Sequence, residues 1–359
     1  MTDRCYIIAE AGVNHNGSLA MAKRLVEVAA EAGADAVKFQ TFKAAELIIA
    51  GAPKAAYQID STGAEESQWT MISRLELDAQ AHANLVAHCQ NCAIQFLSTP
   101  FDAGSAEMLV EMFDMPIIKV PSGEVTNAPL LLKVAQFRRP LIVSTGMCTL
   151  ADVTAALGVL AYGLLYDSIP NGVRDFEDAF KSAEGQHVLR EKVTLLHCTT
   201  EYPAPYAEVN LRAMEALSKA FGLPVGFSDH TEGVAVAIAA AARGAKVVEK
   251  HFTLDRSLPG PDHKASLEPQ ELANMVRGIR QVEQALGEAV KAPTISERKN
   301  MEVARKSLVA RCAIRAGEVF SEDNLGVKRP GKGLSPMNYW ELIGRVASRD
   351  FQPDELIEL

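Results

Sequence analysis

Eight short apolar runs, each followed by a stretch of helical period, alternate through residues 5–287, and few folds accommodate that pattern. The runs are CYIIA (5–9), DAVKFQ (35–40), IQFLS (94–98), PIIKV (116–120), PLIVS (140–144), KVTLLHC (192–198), PVGFS (224–228) and KVVEKHF (246–252). Helices are expected over 18–34, 78–90, near 103–112, near 128–136, near 150–162, near 211–221, over 234–243 and over 269–287, with Ser18 as a cap and Gly33 as a stop for the first. Near-continuous apolar strands between amphipathic helices predict a parallel sheet covered on both faces. Eight such units fit a (β/α)8 TIM barrel, whose usual size is ~250 residues. A doubly wound open sheet is the rival, but no GxGxxG turn follows the first strand.

The chain continues past the barrel pattern. Residues 288–305 are charged and read as a linker with a short helix. Residues 306–359 carry short strand patterns and turn signals (RAGE, RPGKG, QPDE) and read as a separate small β-rich domain. The catalytic barrel is assigned to 1–287. Two insertions interrupt it, 41–77 (with STGAEESQW inside) and 163–190, and insertions of that length are either functional lids or mobile segments.

Charge and composition exclude several classes of function. A net charge of -9 argues against a broad nucleic-acid face. No apolar run approaches the ~20 residues of a membrane helix, and the N-terminus has no signal-peptide pattern. The six cysteines are scattered, which fits a reducing cytoplasm better than a disulfide framework. Cys89 and Cys92 form a C-x-x-C in a helical stretch, but a zinc site would want a second pair and none exists, so helix packing is expected.

Side chains past the C-terminal ends of barrel strands converge on one bowl. Those ends are unusually polar here: Glu10; Lys38 and Gln40; Ser98 and Thr99; Lys119, Ser122 and Glu124; Ser144 and Thr145; His197, Cys198, Thr199, Thr200 and Tyr202; Ser228, Asp229 and His230; Glu249 and His251. Ser98, Thr99, Ser144 and Thr145 are also ordinary helix caps. Charged groups at strand ends are harder to explain structurally, because burial is costly unless they are paired. Two lysines among hydroxyls predict an anion site, most simply for phosphate. Adjacent parallel strands lie ~4.8 Å apart, so imidazoles at matching ends, His230 and His251, can hold one divalent metal. Glu10 or Asp262 nearby would make it an N/O site suited to manganese, iron or magnesium-like ions. Metal and phosphate in one bowl point to Lewis-acid activation of a carbonyl, with Glu124 placed for substrate hydroxyls or proton transfer. RSLPGPDHKAS (256–266) reads as a stiff loop holding Asp262 and His263 over the site.

In order, IIAEAGVNHNGS, GADAVKFQTF, FLSTPFD, IKVPSGE, IVSTGM, LLHCT, FSDHT and EKHFT closely resemble the sialic acid synthases, including the legionaminic acid synthases. The tail LVARCAIRAGEVFSEDNLGVKRPGKGLSP resembles their C-terminal antifreeze-like (SAF) domain. The resemblance implies condensation of phosphoenolpyruvate with an N-acylated hexosamine, N-acetylmannosamine or 2,4-diacetamido-2,4,6-trideoxymannose. It implies that Lys38, Thr99, Lys119, Ser122 and Ser144 bind phosphoenolpyruvate. It places a divalent metal on His230 and His251, usually manganese, with magnesium or cobalt as alternatives. Glu124, Thr200, Tyr202 and Ser228 would contact the sugar, and Glu10 and Asp262 would help position the sugar and metal-bound water. Arg329 would reach the sugar from the small domain of a partner subunit in a domain-swapped homodimer. Two features depart from the family pattern. Thr200 stands where several members carry asparagine, which leaves the acceptor's substituents open. The family's phosphate-side asparagine has no counterpart in STGAEESQW.

Overall fold

The computed structural model describes residues 4–49, 51–54, 59 and 65–358. Much of STGAEESQW therefore lies outside the described residues. The chain divides into two compact units, Met1–Gly287 and Glu288–Leu359.

Unit one is a parallel eight-stranded sheet, ordered β3-β2-β1-β8-β7-β6-β5-β4. The strands are β1 (Tyr6–Gly12), β2 (Ala36–Thr41), β3 (Gln95–Pro100), β4 (Ile118–Val120), β5 (Leu141–Ser144), β6 (Val193–Cys198), β7 (Val225–Asp229) and β8 (Val247–His251). The hydrogen-bonded ladder runs through all eight, and β3 and β4 lie side by side at the seam, so the sheet is a nearly closed barrel. Its strands are buried on both faces, which is why they read as continuous apolar runs rather than alternating ones.

The connecting helices begin where short polar side chains can satisfy free N–H groups. Ser18 accepts from the Met21 amide before Leu19–Glu31, Asp78 accepts from the Ala81 amide before Ala79–Asn91, and Thr149 forms a capping box with Asp152 before Leu150–Leu165. Gly33, at φ +79°, follows the first helix in a conformation that favours glycine. Gly226 on β7 permits close strand approach, since a Cβ there would lie 2.3 Å from the Val247 carbonyl oxygen.

The 163–190 segment is not a lid. The preceding helix extends to Leu165, and Val173–Lys181 and Ala183–Lys192 are further helices, the second running straight into the N-terminal end of β6. The first of these packs on the outer helix so closely that a Cβ on Gly158 would lie 2.9 Å from the Phe176 carbonyl oxygen. The segment thus serves the end of the barrel opposite the bowl. Its polar sequence reflects the solvent face of two amphipathic helices around buried Ala179 and Leu189.

Unit two contains the helix Ile295–Ala304 and an antiparallel pair, β9 (Ser307–Ala310) and β10 (Leu325–Lys328). Its own small core includes Leu308, Ile314, Phe320, Leu325, Phe351 and Ile357.

No described helix is long and apolar enough to cross a membrane. All six cysteines are free. Cys89 is buried against the barrel core, and burial pushes its thiol up to about 12, as it does for Cys5. Cys312 is exposed. In a native thiol titration at pH 8, Cys312 should react promptly, whereas Cys5 and Cys89 should react only after denaturation. Rapid native labelling of Cys89, read by mass spectrometry, would show that the C-x-x-C is not a packing element.

Candidate active site

The bowl is built around four buried charges. Glu10 on β1 is in register with Lys38 on β2, and their side chains form an ion pair at 2.5 Å. Lys38 Nζ also donates to Thr99 Oγ1 at 2.8 Å and lies 3.6 Å from Glu249. Lys119, on β4, reaches Glu249 on β8 at 3.3 Å. In the strand order, β4 and β8 are four steps apart either way around the barrel, so this pair spans the interior. Ser228 Oγ completes the group, donating to Glu249 at 3.0 Å.

Burial pushes the Glu249 carboxyl up, but Lys119 and then Lys38 outweigh it and hold Glu249 below the usual carboxylate range. Glu10 lies above that range, because burial and the nearby Glu249 charge together exceed the pull of Lys38. Burial lowers both lysines. The two carboxylates restore Lys38 to above its ordinary value, while Lys119 remains below its own. Two ammonium groups and two carboxyls thus sit together, with the ammonium groups facing one cavity of about 290 Å³.

The two histidines follow on the same rim. Their ring centroids are 5.7 Å apart, and the Tyr202 ring packs 4.3 Å from His230 and 5.7 Å from His251. His230 Nδ1 lies 2.6 Å from the Thr199 carbonyl oxygen, which can only accept, so Nδ1 carries the proton and Nε2 keeps its lone pair. Burial lowers His230 to about 4 and His251 well below its ordinary value, so both rings are neutral at pH 7. Nδ1 of His251 is buried without a hydrogen-bond partner among the described residues. Neutral imidazoles, one fixed by a carbonyl behind it, are the form that binds metals, so these residues fit a divalent ion.

Among the described residues, no group of three or more His, Cys, Asp and Glu side chains gathers as a metal cluster. Glu10, considered above as a third ligand, is instead paired with Lys38. Asp262 Oδ2 stands 3.9 Å from His251 Nδ1, and burial pushes its carboxyl up to about 6.

The remaining predicted residues divide. Thr99, Ser122, Ser144, Thr200, Tyr202, Ser228 and Asp262 line the cavity with the quartet and the imidazoles. Among the described residues, the buried Ser144 hydroxyl has no hydrogen-bond partner. Gly146 lets Ser122 and Thr200 converge, since a Cβ there would meet Thr200 Oγ1 at 2.2 Å and Ser122 Oγ at 2.9 Å. Glu124 is not among the lining residues; it lies half-buried on the turn after β4, where Asn127 Nδ2 donates to it at 2.6 Å. Arg329 is exposed in the second unit, just after β10.

Some strand-end residues point away from the bowl. Ser98 joins Thr41 and His82 in a buried relay, Thr145 donates to the Leu196 carbonyl, and His197 bonds the Val209 carbonyl. Glu249 is the residue whose role sequence reasoning missed. Its parity was the available signal, because it lies two residues before His251 and so shares its face.

A (β/α)8 barrel with a lysine-and-imidazole bowl, followed by a small β-rich domain, is the class of protein this structure defines. The chain belongs to the NeuB family: that family's model matches residues 25–291, and the SAF domain model matches residues 305–358. It is 50% identical over 351 residues to the N,N'-diacetyllegionaminic acid synthase of Campylobacter jejuni, covering 98% of each chain. It is 33% identical to the N-acetylneuraminate-9-phosphate synthase of Homo sapiens, covering 98% of this chain and 91% of the relative. The crystal structure of N-acetylneuraminic acid synthetase from Leptospira borgpetersenii, in complex with citrate, superposes with a TM-score of 0.66. The sequences are 29% identical, and the match covers 83% of this chain and 90% of that one.

Glu249 neutralises two ammonium groups that would otherwise be buried with one carboxylate between them. Glu249→Gln should lower stability by roughly 3–5 kcal/mol, and inorganic phosphate should restore the thermal midpoint of the variant more than it raises that of the wild type. Equal phosphate effects on the two proteins would mean that the lysines do not present their charge to an anion.

Proposed function

We propose that this chain is a nonulosonic acid synthase that condenses phosphoenolpyruvate with the open-chain aldehyde of an N-acylated mannosamine-type sugar: C3 of phosphoenolpyruvate bonds to the aldehyde carbon, water adds at C2, and phosphate leaves by C–O cleavage. The observation that carries this reading is the presence, in one cavity, of two buried lysines facing a pair of neutral imidazoles. The names of the similar proteins support the same class of product.

Lys38 and Lys119, with the hydroxyls of Thr99, Ser122 and Ser144, hold the phosphate and carboxylate of phosphoenolpyruvate, and Ser144 brings an unused hydroxyl to that task. Holding the enol ester beside the aldehyde turns a bimolecular encounter into an oriented one. His230 and His251 hold a divalent cation, manganese by family resemblance, with magnesium or cobalt as alternatives; when bound, it supplies Lewis-acid polarisation of a carbonyl. Tyr202, Thr200 and Ser228, which line the cavity, contact the sugar. Glu10 and Asp262, whose carboxyls are both held above the usual range, are suited to accept and return a proton near pH 7. Arg329 reaches the sugar's acyl group from the small domain of a second copy in a domain-swapped dimer, and the enzyme works in the cytoplasm.

Two acceptors fit this chemistry, N-acetylmannosamine and 2,4-diacetamido-2,4,6-trideoxymannose. One flank of the cavity is apolar, lined by Val13, Phe42, Leu47, Met71, Ile72 and Leu75. A sugar ending in a methyl group loses nothing against such a wall, whereas a hydroxyl there gives up its hydrogen bonds to water. This flank, with the 50% identical relative, favours the 6-deoxy diacetamido sugar.

Phosphate release by the purified enzyme tests the proposal. It should require phosphoenolpyruvate, a divalent metal and an acylated sugar together, and kcat/KM should be higher for the diacetamido sugar than for N-acetylmannosamine. EDTA should abolish turnover, and added manganese should restore it. Full activity of His251→Ala at low manganese would overturn the metal assignment, and phosphate release without any sugar would overturn the synthase reading.

A further inference from the structure

The imidazoles sit just beyond the last backbone rung that joins their strands. Pairing between β7 and β8 runs Phe227↔Val248, Ser228↔Glu249 and Asp229↔Lys250, and it ends there. His230 and His251 are the next residues on each chain. Side chains alternate along a strand, so Ser228 and Glu249 face the bowl while Asp229 and Lys250 face the layer between sheet and helices. Both of these outward-facing side chains are 0% exposed, and they form an ion pair at 2.9 Å.

The pair holds more than the two strands. Lys250 Nζ also donates to the Thr231 carbonyl. The Thr231 amide and hydroxyl donate to the other Asp229 oxygen at 2.9 and 2.8 Å. The backbone is thus tied on both sides of His230, at 229 and at 231, to the residue that precedes His251. Arg256 and Glu271, which add charge near Lys250, form their own ion pair behind it. A buried ion pair is a poor source of stability, because an apolar pair of similar volume serves as well or better. Its distinctive property is directional, as the three donor hydrogens of Lys250 Nζ bond a carboxylate and a carbonyl at once, which an apolar pair cannot do.

We infer that Lys250, through Asp229 and Thr231, is the positioning residue that fixes the His230 and His251 rings relative to one another across the barrel wall. The inference rests on the reading that these rings hold one divalent ion. Losing such outer support typically costs ~10–100-fold in metal affinity.

The test measures Mn2+ affinity by electron paramagnetic resonance of the free ion, alongside phosphoenolpyruvate affinity and the thermal midpoint of metal-free protein. Lys250→Met should weaken Mn2+ binding by about 10–100-fold while leaving phosphoenolpyruvate affinity unchanged, and saturating Mn2+ should restore most of kcat. Because Lys250→Met strands the Asp229 charge, a double variant, Asp229→Leu with Lys250→Met, removes both charges. It should fold yet bind Mn2+ as weakly as the single variant, since an apolar pair cannot hold the Thr231 carbonyl. Thr231→Val keeps both charges and should lose about two- to tenfold, the worth of one hydrogen bond. Wild-type Mn2+ affinity in a folded Lys250 or double variant would overturn this inference and leave the metal site standing. Failure of the wild-type chain to bind Mn2+ would overturn the metal site and, with it, this inference.

Discussion

Four charges buried at one end of the barrel constrain everything built around them. Lys38, Glu10, Glu249 and Lys119 are each under 5% exposed, and each would be prohibitive to bury alone. Together they balance one another, and each ammonium has a carboxyl group within ion-pair distance. The Lys119–Glu249 contact joins opposite walls, so it forms only when the sheet curls until β3 meets β4. Barrel closure and charge pairing therefore depend on each other. What looks like a stabilising cluster is also a poised one, because its lysines border an open cavity and an entering anion can compete with the carboxylates for them.

The imidazole pair obeys a different constraint. Burial is the largest influence on both rings and keeps them neutral at pH 7, the form in which an imidazole has a lone pair to offer. The Thr199 carbonyl accepts from His230 Nδ1, and the Asp229–Lys250–Thr231 network ties the backbone on both sides of that ring. The same two strands thus carry a cavity-facing side and an outward-facing side, separated by one residue of register. That separation follows from the period of two in any β-strand and needs no special loop.

Particular residues show how much of this was readable beforehand. Seven of the eight strands lie within two residues of where apolar runs placed them, and β1 runs three residues further, to Gly12, because a strand covered on both faces leaves a local signature in the chain. Lys38, Lys119, His230 and His251 were legible for a related reason: charged groups at the ends of such runs have no ordinary structural role. Ser98, Thr145, His197 and Asp229 occupy similar positions in the sequence yet face away from the bowl, and only strand parity separates the two sets. The 163–190 segment was misread because its polar residues cover two helices whose apolar contacts, Phe176 against Tyr162 among them, come from elsewhere in the chain. Glu124 carried the right chemistry, but its neighbour Asn127 holds it on a turn outside the cavity lining.

The sequence by itself determined the alternation of strand and helix, the small β-rich unit at the end, and the end of the barrel at which polar side chains gather. Each of these follows from periodicity within a few residues. Tertiary structure alone decided which carboxylate answers which lysine, that Glu249 rather than a loop residue is their hub, and that Lys250 stands behind the imidazoles rather than beside them. Those facts depend on distances across a closed barrel between residues up to about 200 positions apart along the chain, and no local pattern encodes such a distance.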